Sequence, residues 1–296
     1  GKIAVVTGST QGLGEAIAHL FADRGAKGIV IAGRNNEKGA KVKADLEKKG
    51  VKSVYVQADL SKVDETRKSM SACDKEFGRI DALVNSAGMT DRGTIWDTSP
   101  ELFDTMFAIN VRAPFFLMQD ALHLMKKSNT RGTIVNILSM SGHAGQSFIS
   151  AYCGSKGALA TLTKNWAASV LTTRIRVNGL NIGWMDTPGE DRIMKTYHSA
   201  EDGWLQKAES GRPVGRLLKP TEVARAAAYL STEESGLITG SIIDFDQQVL
   251  GAGESELGMP TARVKSNNGV PGWGPPNPRQ QNETLTPDPL LTSKKN

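Results

Sequence analysis

Short apolar runs, most of them β-branched, recur along the chain at Lys2–Thr7, Gly28–Gly33, Ser53–Ala58, Ile80–Ser86, Gly132–Ser139, Ile175–Asn181 and Ser241–Phe245. Between them lie stretches whose apolar positions follow helical spacing: Leu13–Arg24, Lys38–Lys49, Glu65–Phe77, Leu102–Lys127 and Ser150–Leu171. Strands alternating with helices predict right-handed βαβ units, and so a parallel sheet with helices on both faces. The pattern predicts a single α/β domain over residues 1–253, with seven parallel strands in one doubly wound sheet. After Gly253 the texture changes, because seven of the twelve prolines fall between Pro260 and Pro289. Such a stretch has too little apolar surface to fold alone, so residues 254–296 are expected to form a disordered or extended Pro/Gly-rich tail.

Composition narrows the function classes. An apolar fraction of 39% suits a soluble α/β protein with a sizeable core. No uninterrupted apolar run reaches the roughly 18 residues of a membrane-spanning helix. The chain enters a strand at once, without a signal-peptide pattern, which favours a cytoplasmic location. Cys73 and Cys153 are the only cysteines and lack accompanying histidine clusters, so neither a disulfide framework nor a metal site is expected. The net charge of +5 is spread along the chain, with no basic stripe interleaved with aromatics. That argues against nucleic-acid binding, and either a phosphate-bearing cofactor or scattered solvated lysines account for a slight positive excess.

The first strand runs into Thr7-Gly8-Ser9-Thr10-Gln11-Gly12-Leu13-Gly14 and then a helix. Glycines let such a turn approach a pyrophosphate, and the helix N-terminus supplies free N–H groups and a partial positive charge. The second strand ends in Gly33-Arg34, with no carboxylate for a ribose 2′-hydroxyl. An arginine there suits a 2′-phosphate, so NADP is expected, with NAD as the alternative. Asp59, closing the third strand, is placed beside the adenine or caps the next helix.

Tyr152 and Lys156 lie four apart at the start of a helix, hence on one face. A phenol ordinarily titrates near pH ~10, and a neighbouring ammonium is expected to bring it toward the working range. Ser139 ends the fifth strand and is positioned to polarise a substrate oxygen. Ligands of open parallel sheets bind at those C-terminal strand ends.

Together these features resemble a classical short-chain dehydrogenase/reductase over residues 2 to about 250. The match runs through the Thr7–Gly14 turn, Asp59-Leu60, Asn85-Ser86-Ala87-Gly88, Asn110, Ser139 and Tyr152-x-x-x-Lys156, and implies a Rossmann-type fold. The resemblance implies that Tyr152 is the general acid/base and that Ser139 orients the carbonyl. It implies that Lys156 binds the nicotinamide ribose and tunes Tyr152, while Asn110 holds a water in a proton relay. Gly8, Ser9, Gln11, Gly12, Leu13, Gly14, Arg34, Asp59, Leu60, Asn85, Ala87, Gly88, Gly183 and Thr187 are then cofactor contacts. Members of the family commonly form homodimers or homotetramers through helices corresponding to Leu102–Lys127 and Ser150–Leu171.

Three departures stand out. Asn181-Ile182-Gly183 replaces a usual Pro-Gly, Asp246-Gln247-Gln248 replaces a usual Asp-Gly-Gly, and Cys153 follows the tyrosine where a small residue is common. Cys153 reads as packing. Substrate choice is expected to reside in a lid over about 183–216, with Trp184 and Trp204, and in His143 and Gln146. Aromatic rings beside carboxylates and amides fit a sugar or polyol. One rival is a 3-oxoacyl-thioester reductase, for which Lys195, Lys207 and Arg212 are the candidate basic patch. Another, of a different class, is a catalytically silent nicotinamide-binding regulator.

Overall fold

The computed structural model describes residues 1–250 apart from Ala144, so the tail expected from residue 254 lies outside the described residues. Seven parallel strands form one sheet in the order β3-β2-β1-β4-β5-β6-β7. They are β1 (Ile3–Thr7), β2 (Gly28–Gly33), β3 (Lys52–Gln57), β4 (Ala82–Asn85), β5 (Thr133–Ser139), β6 (Arg176–Ile182) and β7 (Ile242–Phe245). Every residue of β1, β4 and β5 is buried, as expected of strands covered on both faces. Alternate side chains feed two cores. Ala4, Val6, Ile29, Ile31, Val135 and Ile137 pack under α1 (Gly12–Asp23), α2 (Asn36–Lys48) and α9 (Pro220–Leu230). Ile3, Val5, Val30, Leu83, Ile134 and Leu138 pack under α3 (Val63–Phe77), α5 (Ala113–Lys127) and α6 (Ser150–Ser169).

The strand order reverses between β1 and β4, and the turns leaving these strands abut. A Cβ placed on Gly8 would lie 2.7 Å from the Ala87 Cα. The Thr7 hydroxyl ties the turns together by accepting the Ser86 and Ala87 N–H groups, each at 3.1 Å. The structure thus makes its crevice at the topological switch point, where α/β sheets bind ligands.

The expected helix Leu102–Lys127 is interrupted. It divides into α4 (Pro100–Phe107), a π-helical turn at Ala108–Arg112, and α5. Pro114 has no N–H to return to the Asn110 carbonyl four residues back, so the α-helical ladder cannot run through. Such π turns concentrate at functional sites.

Between β6 and α9 the chain makes an excursion containing α7 (Pro188–Tyr197) and α8 (Trp204–Ser210). Its base is closed by a parallel bridge between Met185 and Leu218. Lys219 Nζ fastens it to Asp186 at 2.9 Å and Glu209 at 3.3 Å. No helix among the described residues is long and apolar enough to cross a membrane.

Candidate active site

The turn after β1 fits a dinucleotide on its own geometry. Gly8 and Gly12 have φ of 63° and 61°, a region side chains rarely tolerate. A Cβ on Gly14 would stand 2.4 Å from the Gly8 carbonyl oxygen, so any side chain there would break the turn. Gln11, at the N-cap of α1, makes no side-chain cap bond, which leaves the amides of the first turn available for an anion. Thr187 faces this turn, with its Cβ 3.7 Å from the position of a Cβ on Gly12. Leu13 is buried beneath the turn, Leu60 packs with Ala58, Ala113 and Ala87, and Gln11 accepts a hydrogen bond from Lys38 Nζ.

Some expected cofactor contacts are occupied elsewhere. The Ser9 hydroxyl donates to the Val6 carbonyl at 2.7 Å and accepts the Ala32 N–H at 3.0 Å, so that side chain stitches β1 to β2. Asn85 Nδ2 points into the core and donates to Asn136 Oδ1 at 2.8 Å. Asp59 caps the following turn, accepting the Ser61 N–H at 3.0 Å and the Ser61 hydroxyl at 2.8 Å. Those bonds hold its carboxyl below the usual range. Arg34 is exposed at the end of β2, and a Cβ on Gly33 would lie 2.6 Å from the Thr10 side chain. Without moving Thr10, a carboxylate cannot occupy position 33.

The chemical groups converge where β4 and β5 end. Lys156 is 4% exposed, and its Nζ donates to the Ile137 carbonyl at 2.8 Å and lies 5.7 Å from the Tyr152 ring centroid. The space where Gly88 would carry a Cβ is 3.6 Å from both Lys156 Nζ and Asn110 Oδ1. Asn110, fully buried in the π turn, accepts the Met89 N–H and donates to the Met89 carbonyl, each at 2.9 Å, and donates to Ser155 Oγ at 3.0 Å. Ser139 Oγ accepts the Ser141 N–H at 3.2 Å and interacts with the Tyr152 hydroxyl.

Burial dominates the surroundings of Tyr152 and Lys156. Desolvation pushes the phenol up to about 12, against a smaller downward pull from Ser139. The same dryness pushes Lys156 down to about 8. The ammonium is bonded to the Ile137 carbonyl, and burial is the largest influence on the phenol.

The expected substrate residues are largely bound by the protein itself. Trp184 and Trp204 stack with centroids 6.1 Å apart, and the Arg212 guanidinium lies 4.7 Å from the Trp184 ring. Their indole N–H groups donate to Glu190 and Asp191, each at 2.8 Å. His143 is drawn to the ends of β6 and β7, with its Nε2 2.8 Å from Asp244 Oδ1 and 2.7 Å from Asn181 Nδ2. Gln146 Oε1 accepts the Ser141 hydroxyl at 3.0 Å, and its N–H points to Cys153 Sγ at 3.3 Å. Cys153 thus braces this loop.

The departures also find a purpose. With Ile182 in place of proline, β6 continues and the Gly183 N–H reaches the Phe245 carbonyl at 3.0 Å. Asp246 fills the space beside Gly183, its Oδ1 1.9 Å from where a Cβ would stand. Gln247 accepts the Val214 N–H at 3.0 Å and donates to the Arg216 carbonyl, joining the end of β7 to the lid. Sequence reasoning missed Arg92, which reaches from the loop after β4 to Glu190 and His198 on the lid. Its place just beyond a strand's C-terminal end was the available signal.

This fold and site define a nicotinamide-dependent oxidoreductase. Residues 2–198 match the family model for short chain dehydrogenases, and the chain belongs to that family. It is 35% identical over 246 residues to a Thermotoga maritima protein described as an uncharacterized oxidoreductase, covering 83% of this chain and 96% of that one. The L-sorbose reductase of Gluconobacter frateurii, solved with NADPH and L-sorbose, superposes with a TM-score of 0.78 at 29% identity, covering 85% and 97% of the two chains. The 3-ketoacyl-(acyl-carrier-protein) reductase of Brucella melitensis, solved with NADH, gives 0.74 at 30% identity, covering 83% and 97%. The protein is thus an oxidoreductase acting on alcohol/carbonyl groups with NAD(P).

Proposed function

We propose that this enzyme transfers hydride between NADP(H) and an alcohol/carbonyl pair on a sugar or polyol. The observation that carries the reading is the convergence of Tyr152, Ser139, Lys156 and Asn110 beside the glycine turn at the switch point. When bound, the nicotinamide supplies the hydride or receives it. Ser139 and Tyr152 present neighbouring hydroxyls to one substrate oxygen, and Ser139 orients it. In reduction Tyr152 gives its proton to that oxygen. A phenol pushed up to about 12 stays protonated at neutral pH, which suits the acid role better than the base role. Lys156 offers its ammonium to the nicotinamide ribose. The Asn110 side chain is committed to Met89 and Ser155, so its part in a proton relay falls to the main-chain carbonyl opposite Pro114. Gly183 and Thr187 close over the cofactor from the lid side.

The preference for NADP rests on Arg34 and on Thr10 filling the place of a carboxylate at Gly33. The sugar reading draws on the L-sorbose reductase and on the polar lid. Two of the three candidate basic residues of the thioester alternative are engaged within the protein, Lys195 with Asp191 at 3.1 Å and Arg212 over Trp184, which favours the sugar reading over it. Self-association fits α4 and α6, where Phe103 is 46% exposed and a groove of 390 Å³ runs past Phe107, Ala151 and Gly154.

The test follows the near-ultraviolet absorbance of the cofactor with ketoses, polyols, simple ketones and acyl thioesters. Turnover of ketoses is expected, faster with NADPH than with NADH by about tenfold or more, and Arg34→Ala should erase that preference. Turnover with NADH alone, or of thioesters alone, would overturn the cofactor or substrate assignment. Cofactor binding with no turnover would favour the silent regulator.

A further inference from the structure

One charged pair links the loop after β4 to α7. Arg92 Nη2 meets Glu190 Oε1 at 3.4 Å, with side chains only 15% and 16% exposed. Arg92 is held independently of Glu190. Its Nη1 donates to the Thr90 carbonyl at 2.9 Å, its Nε to His198 Nε2 at 3.0 Å, and its guanidinium lies 5.3 Å from the Phe148 ring centroid. Glu190 is fixed in turn by the Trp184 indole N–H at 2.8 Å. The geometry places the pair beside the site: Arg92 is held by Thr90, next to Met89, whose N–H donates to Asn110 Oδ1 at 2.9 Å, and the Glu190 N–H donates to Thr187 Oγ1 at 3.1 Å.

The contact is poor for a pair this dry. Arg216 and Glu222, in the same region, form a two-pronged pair at 2.8 and 2.7 Å. Arg92 and Glu190 share a single long contact, and it falls on the same carboxylate oxygen that already accepts the Trp184 indole N–H. Among the described residues no hydrogen bond reaches Glu190 Oε2. Glu190 Oε2 is not among the fully buried atoms without a partner, so this part-buried carboxylate has an oxygen open to a further donor. The guanidinium has five N–H donors, and the three contacts above leave donors over.

We propose that Arg92 and Glu190 are the specificity pair of this site and take two neighbouring hydroxyls of a neutral polyhydroxylated substrate. Glu190 Oε2 accepts from one hydroxyl, and Arg92 donates to the oxygen of the other. A hydroxyl both donates and accepts, so a vicinal diol satisfies both partners at once. The opposite charges cancel, which gives no net attraction to an anion, and Glu190 repels a carboxylate. A bound substrate lacking one hydroxyl covers a part-buried charge without meeting it, the situation in which hydrogen-bonding sites discriminate most strongly. This assignment rests on the sugar or polyol reading above.

The experiment compares kcat/KM for a ketose and for its deoxy analogue lacking one hydroxyl next to the carbonyl-bearing carbon, using NADPH. Wild-type enzyme should favour the ketose by on the order of 100-fold. Glu190→Gln, which keeps an acceptor for Trp184, and Arg92→Lys should each lower that ratio by about tenfold or more. Melting temperatures of both variants check that the lid is intact. A latch without substrate contact would lower both kcat/KM values together and leave the ratio fixed, which overturns the proposal. So would Glu190→Gln improving a carboxylate-bearing substrate while Arg92→Lys impairs it, since that marks an anion clamp. Wild-type enzyme that reduces simple ketones but no ketose would sink the polyol reading itself. A ketose preference unmoved in both variants would sink only the pair.

Discussion

Tyr152 and Lys156 respond to one dry environment in opposite senses, because burial disfavours whichever form is charged. Keeping the Lys156 ammonium while its folded value drops from 10.5 to about 8 costs about 3 kcal/mol. The sign is set by proton uptake. Between pH 8 and 10.5 the unfolded chain holds a proton at this lysine that the folded chain lacks, so stability rises with pH across that window. The cost is fully present below pH 8. Lys156→Met keeps the buried stem and removes the charge, at the loss of one bond to the Ile137 carbonyl worth about 1 kcal/mol. Thermal unfolding of this variant should show a Tm higher by roughly 5 °C, without the alkaline gain in stability. Turnover should fall by about 100-fold or more. A lower Tm would mean that the ammonium stabilises the fold, against this account.

At the scale of elements, the segment carrying α7 and α8, proposed as a lid, is an excursion closed at its base by the Met185–Leu218 bridge. Lys219 joins Asp186 and Glu209, Arg216 holds Glu222 well down at about 2, and Gln247 reaches over from β7. Lys219→Met should loosen residues 184–218 while sparing the strands. Hydrogen exchange should quicken in that segment alone, and KM should rise more than kcat falls. Exchange that quickens equally in β1 and β5 would make Lys219 a determinant of the whole fold instead. Elements also divide what the chain discloses in its sequence. Strand–turn–helix punctuation, the glycine turn and the four-residue spacing of Tyr152 and Lys156 are local, and they were legible. The lid's partners were not. Trp184, Trp204, His143 and Gln146 look like free polar handles in sequence, yet each meets a group brought by another segment or by the next turn of its own. The π turn was hidden because apolar spacing runs through Leu102–Lys127 unbroken, although Pro114 carried the clue.

For the molecule as a whole, the strand reversal between β1 and β4 decides where chemistry can happen. It sets the turn of Thr7–Gly14 against Asn85–Gly88, and β5 adds Ser139 and the approach of Tyr152 and Lys156. Every proposed catalytic or cofactor group therefore stands at the C-terminal edge of one sheet, held by strands buried on both faces. The central claim is that this edge performs proton-coupled hydride transfer through Tyr152. The most direct measurement compares Tyr152→Phe with wild type for NADPH binding, by fluorescence titration, and for turnover of a reducible ketose. The account predicts NADPH affinity within about threefold of wild type and turnover lower by on the order of 1,000-fold. Turnover within tenfold of wild type would contradict it, because the proton would then come from another group.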